Sequence, residues 1–505
     1  MSRINSAPAK YAILFFGCVF FHIAGTWSLP LIDRDEPRFA EASREMIQRG
    51  DYIVPYFNGQ LRLDKPPLTY WAQVMSFKIF GENEFAARFP STIAAALIGV
   101  VLLAWGTRIS GEKAGWWAAL IFTLSLQTFV HAKAAVADMW MVLFVTLGYW
   151  AGWEMLFENS KRSTPKAFAS SQLNVQLRRL SRAGSPTSNW FCWSAFHLSL
   201  ALAFLAKGPI AWVPLLTVGS TIFFARDLTL VRQFKFVRGI LLMLAVVSLW
   251  GIPALIQTHG EFFSVGIGRH VIGRSFGAME GHGANSLGAY LLLLPFYFVT
   301  VFASFFPWSI KLPSLAKTLR RNRDSIDNYL IVGVTIIFII FTLVRTKLPH
   351  YTLPAFPLLA ILLARQWVQR ETTHFKWIAI TTALILGLIA LVVPPFVARS
   401  FPAYSVFQES RDSLQPEMEF GAVDYTEPSL VWYFRSRLKG FLTPPKRKEA
   451  TEFMSKPGPR FVVLPTTLAD TLFRDYPATW KSFSTRGFNI AKGKFVDLTL
   501  ILKPE

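Results

Sequence analysis

The stretch "LPLIDRDEPRFAEASREM", residues 29–46, closes the first long apolar run of the chain and then sets Asp33, Arg34, Asp35, Glu36 and Arg38 within six positions. What surrounds it decides the fold. The chain has 505 residues, of which 52% are hydrophobic and only 16% charged, and its mean hydropathy is positive at +0.36. Apolar runs of about 17–25 residues, long enough to cross roughly 30 Å of hydrocarbon, recur along most of it. This is the pattern of a polytopic α-helical membrane protein, and residues 29–46 are then the start of its first loop outside the bilayer.

Eleven spans are expected, at 11–29, 91–109, 114–130, 139–157, 190–206, 209–225, 239–257, 287–306, 328–344, 351–365 and 375–397. Several are short or broken by Pro, so twelve or thirteen would also fit. The first run lacks a small-residue cleavage site and is not a removable signal. Cys18 and Cys192 are the only cysteines and lie in or beside spans, which excludes a disulfide framework.

Lys and Arg fix the expected orientation. With the N-terminus cytoplasmic, the inner segments carry 22 basic residues and the outer loops 14, with 16 more from Arg399 onward. The formal net charge of +21 is accounted for by cytoplasmic flanks meeting anionic lipid, and no nucleic-acid-binding motif accompanies it. Residues 1–397 read as the membrane domain, with an outer loop at 30–90 and a Ser- and Arg-rich flexible cytoplasmic loop at 158–189. Residues 398–505 read as a small α/β domain on the outer side: "FGAVDYT", "RFVVLPTT" and "FVDLTLIL" look like strands, "EPSLVWYFRSRL" and "TLADTLFRDY" like helices.

From Pro37 the apolar residues Phe39, Ala42, Met46 and Ile47 recur at helical spacing, with Arg38, Glu41, Arg44, Glu45 and Arg49 opposite. Asp35 suits the N-cap and Gly50 the stop. An amphipathic helix on the outer membrane surface is expected, presenting Asp33, Asp35 and Glu36 at the mouth of the first span. Capping needs one acid, and clustered carboxylates repel unless a cation or substrate offsets them. Farther along, "LRLDKPPLTYW" places Lys65, with Asp64 beside it, at the start of a Pro-initiated helix that runs to about Phe80. A cation next to free backbone N–H groups suits a phosphate. Lysines beside Pro-initiated helices recur at Lys207 ("FLAKGPIAW") and Lys347 ("RTKLPHYTLP"), all on the outer side in this topology. Lysines that only mark helix ends by snorkelling are the alternative for each taken alone. "HAKAAVADMWM" adds His131, Lys133 and Asp138 in a short outer turn, and "GRHVIGRSFGAMEGHGAN" adds Arg269, His270, Arg274, Glu280 and His282. Histidine with carboxylate could hold a divalent metal, although no H-x-x-x-H or H-E-x-x-H pattern is present.

Outer carboxylates and a phosphate-binding rim in so apolar a chain suit a sugar carried on a lipid phosphate. Lysines would stabilise the leaving phosphate and a carboxylate would orient or deprotonate the acceptor. No Walker A, G-x-S-x-G or GxGxxG-plus-strand unit competes with that reading. A transporter or flippase of lipid-linked sugars would use the same rim without bond cleavage, but would tend to show repeated halves and ionisable groups at mid-membrane.

"DRDEPRFAEASREMIQRGDYIVPYFNGQLRLDKPPLTYW", followed by "FAARFPSTIAA", resembles the first outer loop of the bacterial aminoarabinose transferases of lipid A and their relatives in the protein O-mannosyltransferase superfamily. "AVADMWM", "FLAKGP" and "TKLPHYTLPAFP" extend the likeness in the same order. The resemblance implies a GT-C glycosyltransferase fold in the bacterial inner membrane. It also implies an inverting transfer on the periplasmic face, from a polyprenyl-phosphate-linked sugar to a lipid, glycan or protein acceptor. Asp35 and Glu36 match the acidic pair of these enzymes, with Asp35 the catalytic candidate and Asp138 the acid of the later outer turn. Arg38, Lys65 and Tyr351 match donor-phosphate positions, joined by Lys207, Arg269 and Lys347. Asp64 and His270 match an acid and a histidine that can hold a metal. Pro37 stands where a Gly is usual, and Asp64 where a Glu is usual.

Overall fold

The computed structural model describes residues 7–163, 186–225, 230–231, 234–273, 286–367 and 373–505. Helices dominate the membrane part: α1 (Ala7–Ile23), α4 (Glu84–Ser110), α5 (Glu112–Thr123), α6 (Leu126–Ala132), α7 (Asp138–Ser163), and then Pro186–Lys207, Val213–Ala225, Phe236–Gln257, Ser325–Leu343, Phe356–Trp367 and Thr373–Ala398. Six stretches are long and apolar enough to cross a bilayer unbroken, at Glu84–Ser110, Asp138–Phe157, Trp190–Lys207, Phe236–Gln257, Ser325–Leu343 and Phe375–Ala398. The remaining expected spans are helical too, but short or interrupted. The run 114–130 is α5 and α6 with a break at Leu124–Ser125, and 287–306 breaks before Pro295 into Leu287–Leu292 and Phe296–Ser304. Helix Leu312–Arg321 turns by 119° from the preceding one and occupies a stretch read from sequence as loop. Large apolar side chains such as Phe223, Leu249, Ile256, Leu292 and Phe396 are exposed, as expected of a lipid-facing belt.

The inner packing rests on small residues. Gly111, with φ +88°, closes the α4–α5 hairpin, and a Cβ at Gly106 would lie 2.8 Å from the Gly115 Cα. Only glycines let the two backbones approach this closely. Asn83 caps α4 by accepting from the Ala86 N–H at 2.9 Å.

Between α1 and α4 lie the pieces that frame the outer face: α2 (Asp35–Arg49), a hairpin of β1 (Tyr56–Phe57) and β2 (Gln60–Leu61), and α3 (Leu68–Phe80). Asn58 and Gly59 both have positive φ, the requirement of a two-residue type I′ turn; the "FNGQ" signal was in the sequence and the hairpin was not among the expectations. The α2 helix differs from its expected placement. Its charged side does not face water: Glu41, Arg44 and Glu45 are buried under the C-terminal domain, and Glu36 is buried against Arg88 of α4.

That domain follows the helix ending at Ala398. Its sheet has the order β3-β4-β6-β5, with β3 (Glu419–Ala422) parallel to β4 (Arg460–Pro465) and the pairs β4–β6 (Lys494–Lys503) and β5–β6 antiparallel. Strand β5 (Lys481–Asn489) escaped the sequence reading because it is an edge strand whose residues are mostly polar and exposed. Apolar residues of the domain, including Phe420, Leu430, Trp432 and Phe461, share one core with Leu31, Ala40, Phe77 and Ala135 of the membrane part.

Candidate active site

Helix α2 begins at Asp35. Arg34 holds the N-cap position with no side-chain capping bond, so Asp35 is not the cap that its sequence position suggested. Asp35 is exposed, and among the described residues it has no hydrogen bond or ion pair. Its neighbour Glu36 is the opposite case, 4% exposed. It accepts from Arg88 Nε at 2.9 Å and Nη2 at 2.7 Å, and from the backbone N–H groups of Ile32 and Ala135, both at 2.7 Å. Arg88 spends its other protons on the carbonyls of Thr26, Leu29 and Pro30. This staple ties the exit of α1, the start of α2, α4 and the α6–α7 turn together. Glu36, expected from sequence as a second catalytic acid, thus has its oxygens occupied by four donors. Arg88 sits in the quoted "FAARFPSTIAA", yet sequence alone gave no sign of its partner 52 residues upstream.

The C-terminal domain holds the same stretch from the other side. Asp33 accepts from the Ser429 N–H at 2.9 Å and its hydroxyl at 2.5 Å, the Tyr433 hydroxyl accepts from the Leu31 N–H at 2.9 Å, and Arg34 lies 3.6 Å from Glu427. Burial pushes the Asp33 carboxyl up to about 7, against the opposing pull of the Ser429 bonds. Arg38 is partly exposed and, among the described residues, has no ion pair; its charge acts on Asp33.

The second cluster sits just before α3. Arg62 donates to the Tyr70 hydroxyl at 2.8 Å and binds both oxygens of Asp64 at 3.3 Å. Lys65 Nζ lies 4.0 Å from Asp64 and keeps part of its side chain exposed. The third cluster joins α6, α7, the end of helix Pro186–Lys207 and the turn Pro349–Ala355. Lys207 donates to Asp138 at 2.5 Å and stands 5.8 Å over the Tyr351 ring. His350 Nε2 is 4.0 Å from Asp138, and the His131 and His350 rings are 5.0 Å apart. Burial lowers both imidazoles, His350 to about 3, with Lys207 adding to the shift, so each is neutral at physiological pH.

These clusters lie within electrostatic reach of one another. The charge of Asp35 is felt at Arg62, that of Lys65 at His350, and that of Glu36 at His131. Asp35, Asp64, Lys65, Asp138, Lys207 and Tyr351 thus converge as one constellation. Lys347 does not join them as a phosphate ligand: it is 5% exposed and donates to the carbonyls of Phe341, Thr342 and Val344, capping the helix Ser325–Leu343. Lys133 does the same for α1 through Phe21, His22 and Ala24. The side chains of Arg269 and His270 lie outside the described residues, as do Arg274, Glu280, His282 and residues 164–185 of the expected cytoplasmic loop.

Residues 64–171 match the signature of a family described as dolichyl-phosphate-mannose-protein mannosyltransferase. The chain is 28% identical over 414 residues to the undecaprenyl phosphate-alpha-4-amino-4-deoxy-L-arabinose arabinosyl transferase of Aeromonas hydrophila, covering 79% of this chain and 68% of that protein. It is 26% identical over 375 residues to an uncharacterized protein of Aquifex aeolicus, covering 73% of this chain and 66% of that one. The match therefore spans about two thirds of the length of these relatives. The crystal structure of ArnT from Cupriavidus metallidurans bound to undecaprenyl phosphate superposes with a TM-score of 0.75, covering 98% of both chains at 17% identity, which is a likeness of fold.

Proposed function

We propose that this chain, similar in sequence to an undecaprenyl-phosphate-dependent arabinosyl transferase and in fold to ArnT, moves a sugar from a polyprenyl-phosphate donor to a lipid, glycan or protein acceptor on the outer face of the bacterial inner membrane. The observation that carries this reading is the pairing of an exposed carboxylate, Asp35, unbonded among the described residues, with a rim that holds Lys65, Lys207 and Tyr351. The expected transporter alternative gains no support from relatives that are glycosyltransferases.

The acceptor oxygen attacks the anomeric carbon as the bond to the phosphate oxygen breaks, with inversion. Lys65, Lys207 and Arg38 stabilise the departing phosphate, and fixed cations at a site of developing negative charge are an effective form of catalysis. Tyr351, beside Lys207, shapes the same subsite. Asp35 orients the acceptor and accepts its proton; where the acceptor is itself a phosphate oxygen, orientation suffices. Glu36 and Arg88 act indirectly, by fixing the backbone from which Asp35 projects. Asp138 holds Lys207 in place.

The divalent metal that the resemblance implies at Asp64 and His270 is assigned no step: Arg62 lies 3.3 Å from both Asp64 oxygens, and the His270 side chain lies outside the described residues. The proposal places the N-terminus in the cytoplasm and residues 398–505 outside, on the strength of the Lys and Arg distribution. The decisive experiment incubates the purified chain with undecaprenyl-phosphate-linked sugars and follows release of undecaprenyl phosphate by mass spectrometry. Cells with and without the protein supply the acceptor, as the envelope lipid or glycan that loses a sugar. Movement of intact donor across vesicles without phosphate release would refute transfer.

A further inference from the structure

Three side chains from three separate segments meet at the inner edge of the cationic rim: His131 from α6, Asp138 at the start of α7 and His350 from the turn Pro349–Ala355. One ligand atom from each lies within 4.8 Å of those of the other two. We propose that these residues form a divalent transition-metal site of the zinc class, distinct from the Asp64–His270 pair.

The donor set is right for such an ion. Two neutral imidazoles and one carboxylate are borderline ligands suited to zinc, and three protein ligands leave a fourth position open. An outer partner of the kind that commonly fixes a metal-binding histidine is present in the Gln127 backbone carbonyl, 3.2 Å from His131 Nδ1. Metal binding through Nε2 requires the tautomer in which Nδ1–H donates to that carbonyl, with the Gln127 amide nitrogen, now 2.8 Å from Nδ1, turned away. His350 makes no hydrogen bond among the described residues, and its Nε2 faces Asp138 at 4.0 Å. Zinc ligands stand about 2 Å from the metal, hence about 3.3 Å from one another in a tetrahedron, so closure asks each pair to draw in by no more than about 1.5 Å. The turn carrying His350 and the partly exposed ring can supply that.

Lys207 is the feature that has to be reconciled with a second cation. Its ammonium bonds Asp138 Oδ1 at 2.5 Å, the same oxygen that faces His350 at 4.0 Å. Metal binding therefore requires the carboxylate to turn its other oxygen toward the two rings, or the ion to displace Lys207 from Oδ1. The site stands independently of glycosyl transfer, since metal binding needs neither donor nor acceptor.

The test uses the full chain, purified in detergent, stripped with EDTA and titrated with Zn²⁺ by a competing indicator, with Co²⁺ as a spectroscopic stand-in. Wild type is expected to bind one ion per chain, with a visible Co²⁺ absorption of low-coordinate nitrogen–oxygen character. His350→Gln and His131→Ala should each weaken affinity at least about tenfold, whereas Asp64→Asn should leave it unchanged. The size-conserving His350→Gln variant, checked for an unaltered gel-filtration profile, decides the matter if His131→Ala does not fold. The proposal is overturned if wild type takes up no ion, if His350→Gln binds as wild type does, or if Asp64→Asn alone abolishes binding.

Discussion

Asp35 and Glu36 are adjacent acids of similar chemistry, and their surroundings predict opposite mutant behaviour. In Glu36→Ala, Arg88 keeps its three carbonyl acceptors but loses two charge-assisted bonds at 2.7 and 2.9 Å, and the N–H groups of Ile32 and Ala135 lose their acceptor. Arg88 is 1% exposed, so water does not replace the missing carboxylate. Removing one partner of such a buried pair costs about 3–5 kcal/mol, a large part of the stability of a typical domain. Asp35→Asn removes no hydrogen bond or ion pair among the described residues, and an exposed substitution of this kind shifts stability by no more than about 0.5 kcal/mol. Its transfer rate should nevertheless fall at least about tenfold, equivalent to about 1.4 kcal/mol in the barrier. Thermal unfolding followed by intrinsic fluorescence in detergent, alongside single-turnover release of undecaprenyl phosphate, separates the two effects. A stable but inactive Glu36→Ala protein would move the catalytic carboxylate to Glu36, and an Asp35→Asn protein of wild-type rate would remove Asp35 from the chemistry.

Lys65→Ala should cut turnover by at least about tenfold, with little loss of thermal stability, because a partly exposed cation at the rim contributes to a phosphate leaving group more than to packing. Lys65→Arg should not restore it fully, since a planar fork replaces a point charge; an unchanged rate in Lys65→Ala would exclude the leaving-group role. Burial raises Asp33 to about 7 from an ordinary value near 3.8, so the folded state favours the protonated acid. Its contribution to stability is complete below about pH 4, shrinks as pH rises and is gone above about pH 7. Asp33→Asn keeps an acceptor for Ser429 without a charge, so its melting temperature relative to wild type should increase between pH 4 and 8; a constant difference would contradict the buried-acid assignment. Arg435→Ala leaves Glu41 buried with one cation fewer and should cost about 3 kcal/mol or more, read as release of the C-terminal domain to limited proteolysis at temperatures where wild type resists cleavage.

What was legible in the sequence were features written in local pattern: apolar length for the membrane helices, Pro67 and Gly81 for the bounds of α3, and clustering of acids and lysines for the site. What was not legible depended on partners far along the chain. Four lysines, at 65, 133, 207 and 347, look alike in sequence, each close to a helix end. Two of them cap a helix C-terminus, Lys347 by folding back onto Ser325–Leu343 and Lys133 by reaching the end of α1, far upstream in the chain, while Lys207 reaches across to Asp138 and Lys65 stays at the rim. Which role a lysine takes depends on whether helix-end carbonyls or a carboxylate lie within reach of its stem, and tertiary packing decides that. The amphipathic pattern of α2 misled for a similar reason. A charged helix face looks the same whether water or a complementary protein surface covers it, and the complement here, Arg435 and the Trp432 carbonyl, comes nearly 400 residues later.

The position of α2 also gives the C-terminal domain a role in the chemistry. A short turn leading from a membrane helix to a catalytic carboxylate would ordinarily be mobile, and misplacement by about 1 Å costs rate steeply. In this chain the turn is held from the bilayer side by Arg88 on Glu36 and from the outer side by Ser429 on Asp33 and Tyr433 on Leu31. Arg435 bonds to Glu41 and Gln48 and Arg44 to Glu41, Glu82 and the Trp432 carbonyl, fixing the helix behind it. Asp33, Arg34 and Glu36 are all tethered, and Asp35 between them is left unbonded among the described residues. Such an arrangement holds the backbone of one acid rigid while leaving its oxygens open to an acceptor. On the proposed role of Asp35, the C-terminal domain would act on turnover through the geometry of residues 31–36, which it contacts through Ser429 and Tyr433.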